Sequence, residues 1–258
     1  MYQLNIIKLG GGLSTDKTKP LTIRQAAIKT AALQIAKLHG EKKNTKLLIG
    51  TGAGSFGHYT VRYVNYLEKP NDPNKIAAVH NSVAQLNLIV VTELQKVGIP
   101  AVGIAPMSFM HESSKTLRIK LAAITELFDK GLVPVVFGDV IINEKSGSRI
   151  ISTEEVLDKL ARRLVKKGAI VENVIYATAV SGVYGKDGKT ISNLSKKQSL
   201  SFSTSVDLDV TGGMAQKVKA GFKALDFTNY VYIIDGQKID DIKKATLHQQ
   251  VGTRLIKD

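Results

Sequence analysis

Short apolar, strand-like runs alternate with amphipathic helical stretches along this chain, and that alternation restricts its fold more than any other feature. Residues 4–9, 45–50, 101–105, 132–137, 171–178 and 230–234 read as strands, with a further short one at 253–256. Helices are predicted between them, over 22–38, from Asp72 to about residue 97, and over 119–130, 152–167, 212–225 and about 238–248. Parallel strands need long crossovers and helices supply them, so the pattern predicts an α/β fold with a mainly parallel sheet.

Local chemistry marks several boundaries. Thr22 and Gln25 are spaced as a capping box, with Gly40 just past the expected helix end. Asp72 suits an N-cap and Pro73 a first turn, and Ser152 caps the helix that follows it. Lys145-Ser146-Gly147 reads as the turn of a hairpin over 140–151, and residues 179–211 as a loop-rich insertion. Without repeats or low-complexity linkers, the chain divides into two lobes, 1–170 and 171–258, that share one sheet.

Three glycine-rich stretches each carry a basic residue: Lys8-Leu9-Gly10-Gly11-Gly12, Gly52-Ala53-Gly54-Ser55-Phe56-Gly57-His58 and Thr211-Gly212-Gly213-Met214-Ala215-Gln216-Lys217. Glycine lets backbone N–H groups approach an anion closely, and Lys or His adds positive charge, so the combination describes a phosphate-transfer site. Lys plus Arg number 36 against 22 Asp plus Glu, a net charge of +14 that points to an anionic partner. Nucleic acid is disfavoured: no dense basic block is interleaved with aromatics, there is no Trp, and only 6% of residues are aromatic. The absence of cysteine excludes disulfides and thiol nucleophiles. With no basic-apolar leader and no apolar run near the roughly 20 residues of a membrane helix, the expectation is a soluble cytoplasmic protein without membrane partners.

Three other patterns carry less. Gly52, Gly54 and Gly57 spell a dinucleotide fingerprint, but on the second strand–helix unit and without the acidic residue about 20 positions on that ribose binding needs. Gly185-Lys186-Asp187-Gly188-Lys189-Thr190 imitates a P-loop, yet Val183 stands where its first glycine belongs, and a hairpin turn is the better reading. The five histidines have no metal-ligand spacing, so no protein metal site is expected. His80 falls on the long helix near Ile76, Val83, Val90 and Leu94 and reads as core or pocket wall; His39, His111 and His248 carry no signal.

The order of these motifs, with Gly138-Asp139, Ala177-Thr178, Gly182-Val183-Tyr184 and Gly252-Thr253, resembles the amino acid kinase superfamily over nearly the whole chain. Lys8 with Asp16-Lys17, Gly54-Ser55-Phe56-Gly57-His58 and Phe137-Gly138-Asp139-Val140 is most similar to its isopentenyl phosphate kinases, His58 being the discriminating residue. The resemblance implies a three-layer αβα sandwich around a mainly parallel sheet, acceptor binding by lobe 1–170 and nucleotide binding by lobe 171–258. It implies ATP-dependent phosphorylation of isopentenyl phosphate to its diphosphate in isoprenoid biosynthesis, with Mg²⁺ entering on the nucleotide, and a homodimer. Lys8, His58 and Lys217 would be catalytic. Gly10, Gly11, Gly12, Lys17, Thr178, Gly182, Tyr184, Gly212 and Gly213 would hold the nucleotide. Ala53, Gly54, Ser55, Gly57, Gly138, Asp139 and Val83 would join His58 around the acceptor, with Val79, Met107, Phe109 and Met110 as further apolar wall.

This chain departs from its relatives at Gly12, where they carry Ser, at Ala179 and Ser181, where they carry Asp, and at Thr153-Glu154-Glu155, where they carry Gly-Asp-Asp. Asp139 and Glu154 are the residues expected to organise the lysines or metal waters. A kinase of another small anionic acceptor (phosphonate, carboxylate, carbamate or nucleoside monophosphate) and a noncatalytic nucleotide sensor stay open as alternatives.

Overall fold

The computed structural model describes residues 1–41, 45–113, 116–145, 147–203 and 212–258. Strand β1 (Tyr2–Leu9) is followed by the one-turn helix α1 (Gly11–Ser14), the small hairpin β2 (Thr15–Asp16) and β3 (Thr22–Ile23), and α2 (Gln25–Glu41). Next come β4 (Thr45–Thr51), α3 (Gly54–Tyr63), a 3-10 turn (Tyr66–Glu68), the long α4 (Pro73–Lys96) and β5 (Ala101–Ile104). The short α5 (Pro106–Phe109), β6 (Met110–Glu112) and β7 (Leu117–Ile119) precede α6 (Ala122–Asp129), β8 (Val133–Phe137), the hairpin β9 (Asp139–Asn143) and β10 (Gly147–Ile151), and α7 (Thr153–Lys166). The remainder is β11 (Ala169–Thr178), β12 (Asn193–Ser195), α8 (Lys196–Ser203), α9 (Gly212–Ala224), β13 (Val231–Asp235), α10 (Asp241–Thr246) and β14 (Thr253–Ile256).

Eight strands form the main sheet in the order β12-β14-β13-β11-β1-β4-β8-β5, parallel from β13 to β5, while β14 pairs antiparallel with β13. Residue alternation along β1 explains the layers. Leu4 and Ile6 enter a core with Phe128 of α6, Leu160 and Leu164 of α7 and Ala224 of α9, whereas Ile7 and Leu9 enter one with Ile28 and Ile35 of α2, Val90 and Leu94 of α4 and Ile242 of α10. A strand buried on both faces needs helices on both, and the result is the αβα sandwich expected from the sequence. A four-stranded sheet, β10-β9-β6-β7, flanks it. Among the described residues no helix is long and apolar enough to cross a membrane.

Where capping chemistry was strong, the predicted boundaries hold. Asp72 accepts a hydrogen bond from the Asn74 N–H ahead of Pro73, and Ser152 accepts one from the Glu155 N–H. Residues 185–190 form the expected turn, with Tyr184 bridged antiparallel to Thr190. The Thr22 capping box does not form. Thr22 lies in β3, where its N–H donates to Ser55 Oγ and its hydroxyl to the Pro20 carbonyl, and the helix runs from Gln25 through Gly40 to Glu41. Leu117–Ile119 is strand, so the helix expected from 119 begins at Ala122, and α10 is shorter than the predicted 238–248 because Asp240 enters it at φ +67°. Removing the α4 cap by Asp72→Ala should lower stability by about 1 kcal/mol, read as a lower urea midpoint at unchanged m-value.

Candidate active site

The site is built where α1 and α3, which follow the adjacent strands β1 and β4, begin side by side. Gly10 N–H donates to the Ala177 carbonyl at 2.8 Å and Gly52 N–H to the Leu9 carbonyl at 2.8 Å, so the first two glycine stretches are tied to neighbouring strand ends. A Cβ on Gly11 would overlap the backbone of Gly54, one on Gly52 would overlap the Gly11 nitrogen, and Gly54 adopts φ +54° against the Thr15 side chain. These loops touch backbone to backbone, which only glycine allows. Ser55 N–H donates to Thr15 Oγ1 at 2.9 Å, while the N-cap residue Ala53 has no side-chain acceptor of its own. The partial positive charge at the start of α3 is thus only partly offset by Thr15.

Four basic side chains from separate elements line one cleft of about 370 Å³: Lys8 of β1, Lys17 after β2, His58 of α3 and Lys217 of α9. Lys8 is only 4% exposed and forms a salt bridge with Glu154 in the first turn of α7. Lys217 Nζ donates to the Gly213 carbonyl at 2.8 Å, and the Cβ position of Gly213 lies 3.5 Å from Lys17 Nζ and 3.7 Å from Lys217 Nζ. Burial, then the nearby Lys8 charge, lower the Lys217 ammonium to about 8, with Lys17 adding to the effect and Glu154 opposing it. Partial burial, then Lys17 and Arg62, hold His58 below the usual imidazole value, so without an anion it is neutral at pH 7. Burial pushes the Glu154 carboxyl upward, but the charge and hydrogen bond of Lys8 outweigh it and leave Glu154 ionised.

The apolar wall of the cleft is Val61, Val79, Val83, Leu67, Ile150 and Ile151. Val79 and Val83 were expected there. Met107, Phe109 and Met110 were also expected but do not line it: Phe109 and Met110 are buried in the core around Phe128, and Met107 packs against the cluster of Tyr66, Val79 and Val140. Of the other predicted site residues, Gly11, Ala53, Gly54, Gly57, Gly138, Asp139 and Gly213 line the cleft. Gly10, Gly12 and Ser55 do not line it, and Gly212 opens α9. Thr178, at the end of β11, and Gly182 and Tyr184 beyond it do not line the cleft. The Thr178 hydroxyl donates to the Val180 carbonyl, Gly182 abuts Thr253, and the Ser181 N–H donates to the Tyr184 hydroxyl at 3.4 Å. Thr211 is outside the described residues.

Asp139 is held by three donors. His80 Nδ1 lies 2.8 Å from Oδ1, the Val140 N–H donates to Oδ1 at 2.8 Å, and the Met107 N–H donates to Oδ2 at 3.2 Å. The bond to Asp139 raises His80 above its ordinary value. Among the described residues no group of three or more His, Asp and Glu could hold a metal ion, and Asp139 and Glu154, the carboxylates of the cleft, are already partnered. The residues that sequence reasoning missed are His80 as the partner of Asp139, Arg62 one turn beyond His58, and Leu67 and Ile150 on the apolar side. Spacing four apart along α3 could have exposed Arg62; Leu67 and Ile150 meet only through the fold.

Residues 3–235 match the amino acid kinase family. The chain belongs to this family. Curated relatives include the isopentenyl phosphate kinases of Methanocaldococcus jannaschii, 32% identical over 98% of this chain and 98% of that protein, and of Haloferax volcanii, 32% identical over 84% and 86%. Among solved structures, Thermoplasma acidophilum isopentenyl phosphate kinase in a product complex aligns with a TM-score of 0.78 at 21% identity, over 98% of this chain and 99% of that one. Carbamate kinase from Giardia lamblia bound to AMP-PNP aligns with a TM-score of 0.70 at 14% identity over 100% and 99%. These likenesses show the fold to be that of an amino acid kinase.

An anion in the cleft stabilises imidazolium, so the His58 proton affinity should rise when phosphate binds. In an NMR titration of the imidazole carbons, His58 should titrate below the ordinary histidine range in the free protein and move up with added inorganic phosphate.

Proposed function

We propose that this chain transfers the γ-phosphoryl group of ATP to the phosphate of isopentenyl phosphate, forming isopentenyl diphosphate. The observation that carries the reading is the convergence of Lys8, Lys17, Lys217 and His58 from four parts of the chain on one cleft with an apolar opposite wall. Such a cleft suits an acceptor with an anionic head and a hydrocarbon tail. The chain's relatives of that name span nearly its whole length.

A phosphate monoester loses its second proton near pH ~6, so the attacking oxygen is already ionised at neutral pH and needs no strong general base. The obstacle is repulsion between two polyanions, and neutralisation with alignment is what the residues supply. His58 donates an N–H to the acceptor phosphate near the start of α3. Lys8 and Lys217 flank the moving phosphoryl group, Lys17 meets the donor's terminal phosphates, and Gly10, Gly11 and Gly12 surround them. Glu154 holds Lys8 in place. Residues 1–170 then bind the acceptor and 171–258 the nucleotide, with Thr178, Gly182 and Tyr184 on the nucleoside side.

The cleft offers Mg²⁺ no set of unpartnered carboxylates, because Asp139 is used by His80 and two backbone N–H groups and Glu154 by Lys8. The ion is accordingly assigned to the nucleotide's phosphates, where it offsets their charge.

His58→Ala and Lys217→Ala should each lower kcat/KM for ADP release with isopentenyl phosphate by about 100-fold or more while far-UV circular dichroism is preserved; near wild-type turnover in either variant refutes the assignment. Lys217 titrates at about 8 in the free protein, so kcat/KM should fall as pH rises through that value. Lys217→Arg, which keeps its charge, should remove this alkaline limb whatever its effect on the plateau.

A further inference from the structure

We infer that Arg149 is a positioning residue for phosphoryl transfer, clasping Glu155 so that the neighbouring Glu154 stays set against Lys8. The inference rests on the placement of Lys8 beside the moving phosphoryl group proposed above.

Residues 150–154 line the cleft without a break, as the end of β10, the cap Ser152 and the first turn of α7. The residues on either side of this segment, Arg149 and Glu155, do not line the cleft and reach each other instead. Arg149 Nη2 donates to Glu155 Oε1 at 2.9 Å, and Nη1 donates to Glu155 Oε2 at 3.2 Å. The pair pins together the two ends of a stretch of cleft wall. It is anchored in turn to β6, where Arg149 Nε donates to Glu112 Oε2 at 2.6 Å and Nη2 to Glu112 Oε1 at 3.0 Å. Asn143 Nδ2 donates to the same Glu112 carboxylate. With Nη1 also donating to the Ile150 carbonyl at 3.2 Å, all five guanidinium N–H donors are used.

A single ion pair near the surface contributes little, but one planar guanidinium gripping two carboxylates bidentately fixes geometry as well as charge. What it fixes here is the rotation of the first turn of α7. Consecutive helix residues point about 100° apart, so Glu155 meets Arg149 on one side while Glu154 meets Lys8 on another. Thr153 Oγ1 donates to the Thr51 carbonyl at 2.8 Å, which ties the turn to β4 at one point. Rotation about that point would draw Glu154 away from Lys8, and the clasp on Glu155 opposes it.

The test is a double-mutant cycle of Arg149→Met with Glu154→Gln in the full chain, read as steady-state ADP release with isopentenyl phosphate at matched far-UV circular dichroism. Arg149→Met should lower kcat by about tenfold and leave KM for isopentenyl phosphate within about twofold, because the loss falls on the transferring group. In the Glu154→Gln background the same substitution should change kcat by less than about twofold, the residue it acts through being already lost. Equal losses in both backgrounds overturn the inference. So does a kcat unmoved by Glu155→Gln, which breaks the clasp from its other end and serves where Arg149→Met does not fold. Lys217 supplies a second signature: Glu154 opposes the lowering of that ammonium by burial, Lys8 and Lys17. With Glu154 drawn away, the alkaline limb of kcat/KM should move to lower pH in Arg149→Met; a limb that stays in place beside a lowered kcat makes Arg149 merely structural. Wild-type turnover in Glu154→Gln overturns the role of Lys8 together with the clasp, whereas an impaired Glu154→Gln beside a fully active Arg149→Met overturns the clasp alone.

Discussion

Mutual repulsion among Lys8, Lys17, Lys217 and His58 is the constraint around which this molecule is organised. Burial, reinforced by the positive charges gathered in the cleft, lowers the Lys217 ammonium to about 8 and holds the His58 imidazole below its ordinary value. Glu154 is the counterweight. It sits in the first turn of α7, where a carboxylate is favoured by the helix dipole, and it pairs with Lys8, the most deeply enclosed of the cations. Removing one member of such a buried pair leaves the other uncompensated, which typically costs about 3–5 kcal/mol. The Glu154 carboxylate reaches the Lys8 ammonium directly.

That electrostatic arrangement depends on backbone contacts that carry no charge. The interlocking of Gly11 with Gly52 and Gly54 brings α1 and α3 together, and with them Lys17 and His58. Gly138 performs the matching task on the other side: a Cβ there would lie 3.1 Å from the Thr153 nitrogen, so the turn from β8 to β9 sits tightly under the start of α7, between Asp139 and Glu154. Asp139 in turn fixes His80, the Val140 N–H and the Met107 N–H, joining α4, β9 and α5 around one carboxylate.

Much of this was legible before the fold was known. Buried β-branched runs and strong caps identified most main-sheet strands and helices such as α4 and α7, because each signal lies within a few consecutive residues. Lys8, His58 and Lys217 were found because each stands at a fixed offset from glycines. What escaped was set by contacts distant in sequence. The Thr22 capping box yielded to a hydrogen bond with Ser55, 33 residues away. Met107, Phe109 and Met110 look like pocket wall by composition, but the core around Phe128 and Val79 claims them, and hydrophobicity alone does not distinguish a core from a cleft. His80 was read as packing because its acidic partner lies 59 residues further on.

The arrangement of the last strand bears on how the chain tolerates truncation. β14 lies between β12 and β13, and among the described residues β12 pairs with no other strand of the sheet. Residues 253–256 are thus interior, and Thr253 also supplies the hydroxyl that accepts the Val183 N–H. A stretch this close to a terminus is usually dispensable. Here its loss would strand β12, bare one side of β13 and release the loop at Val183 in a single step.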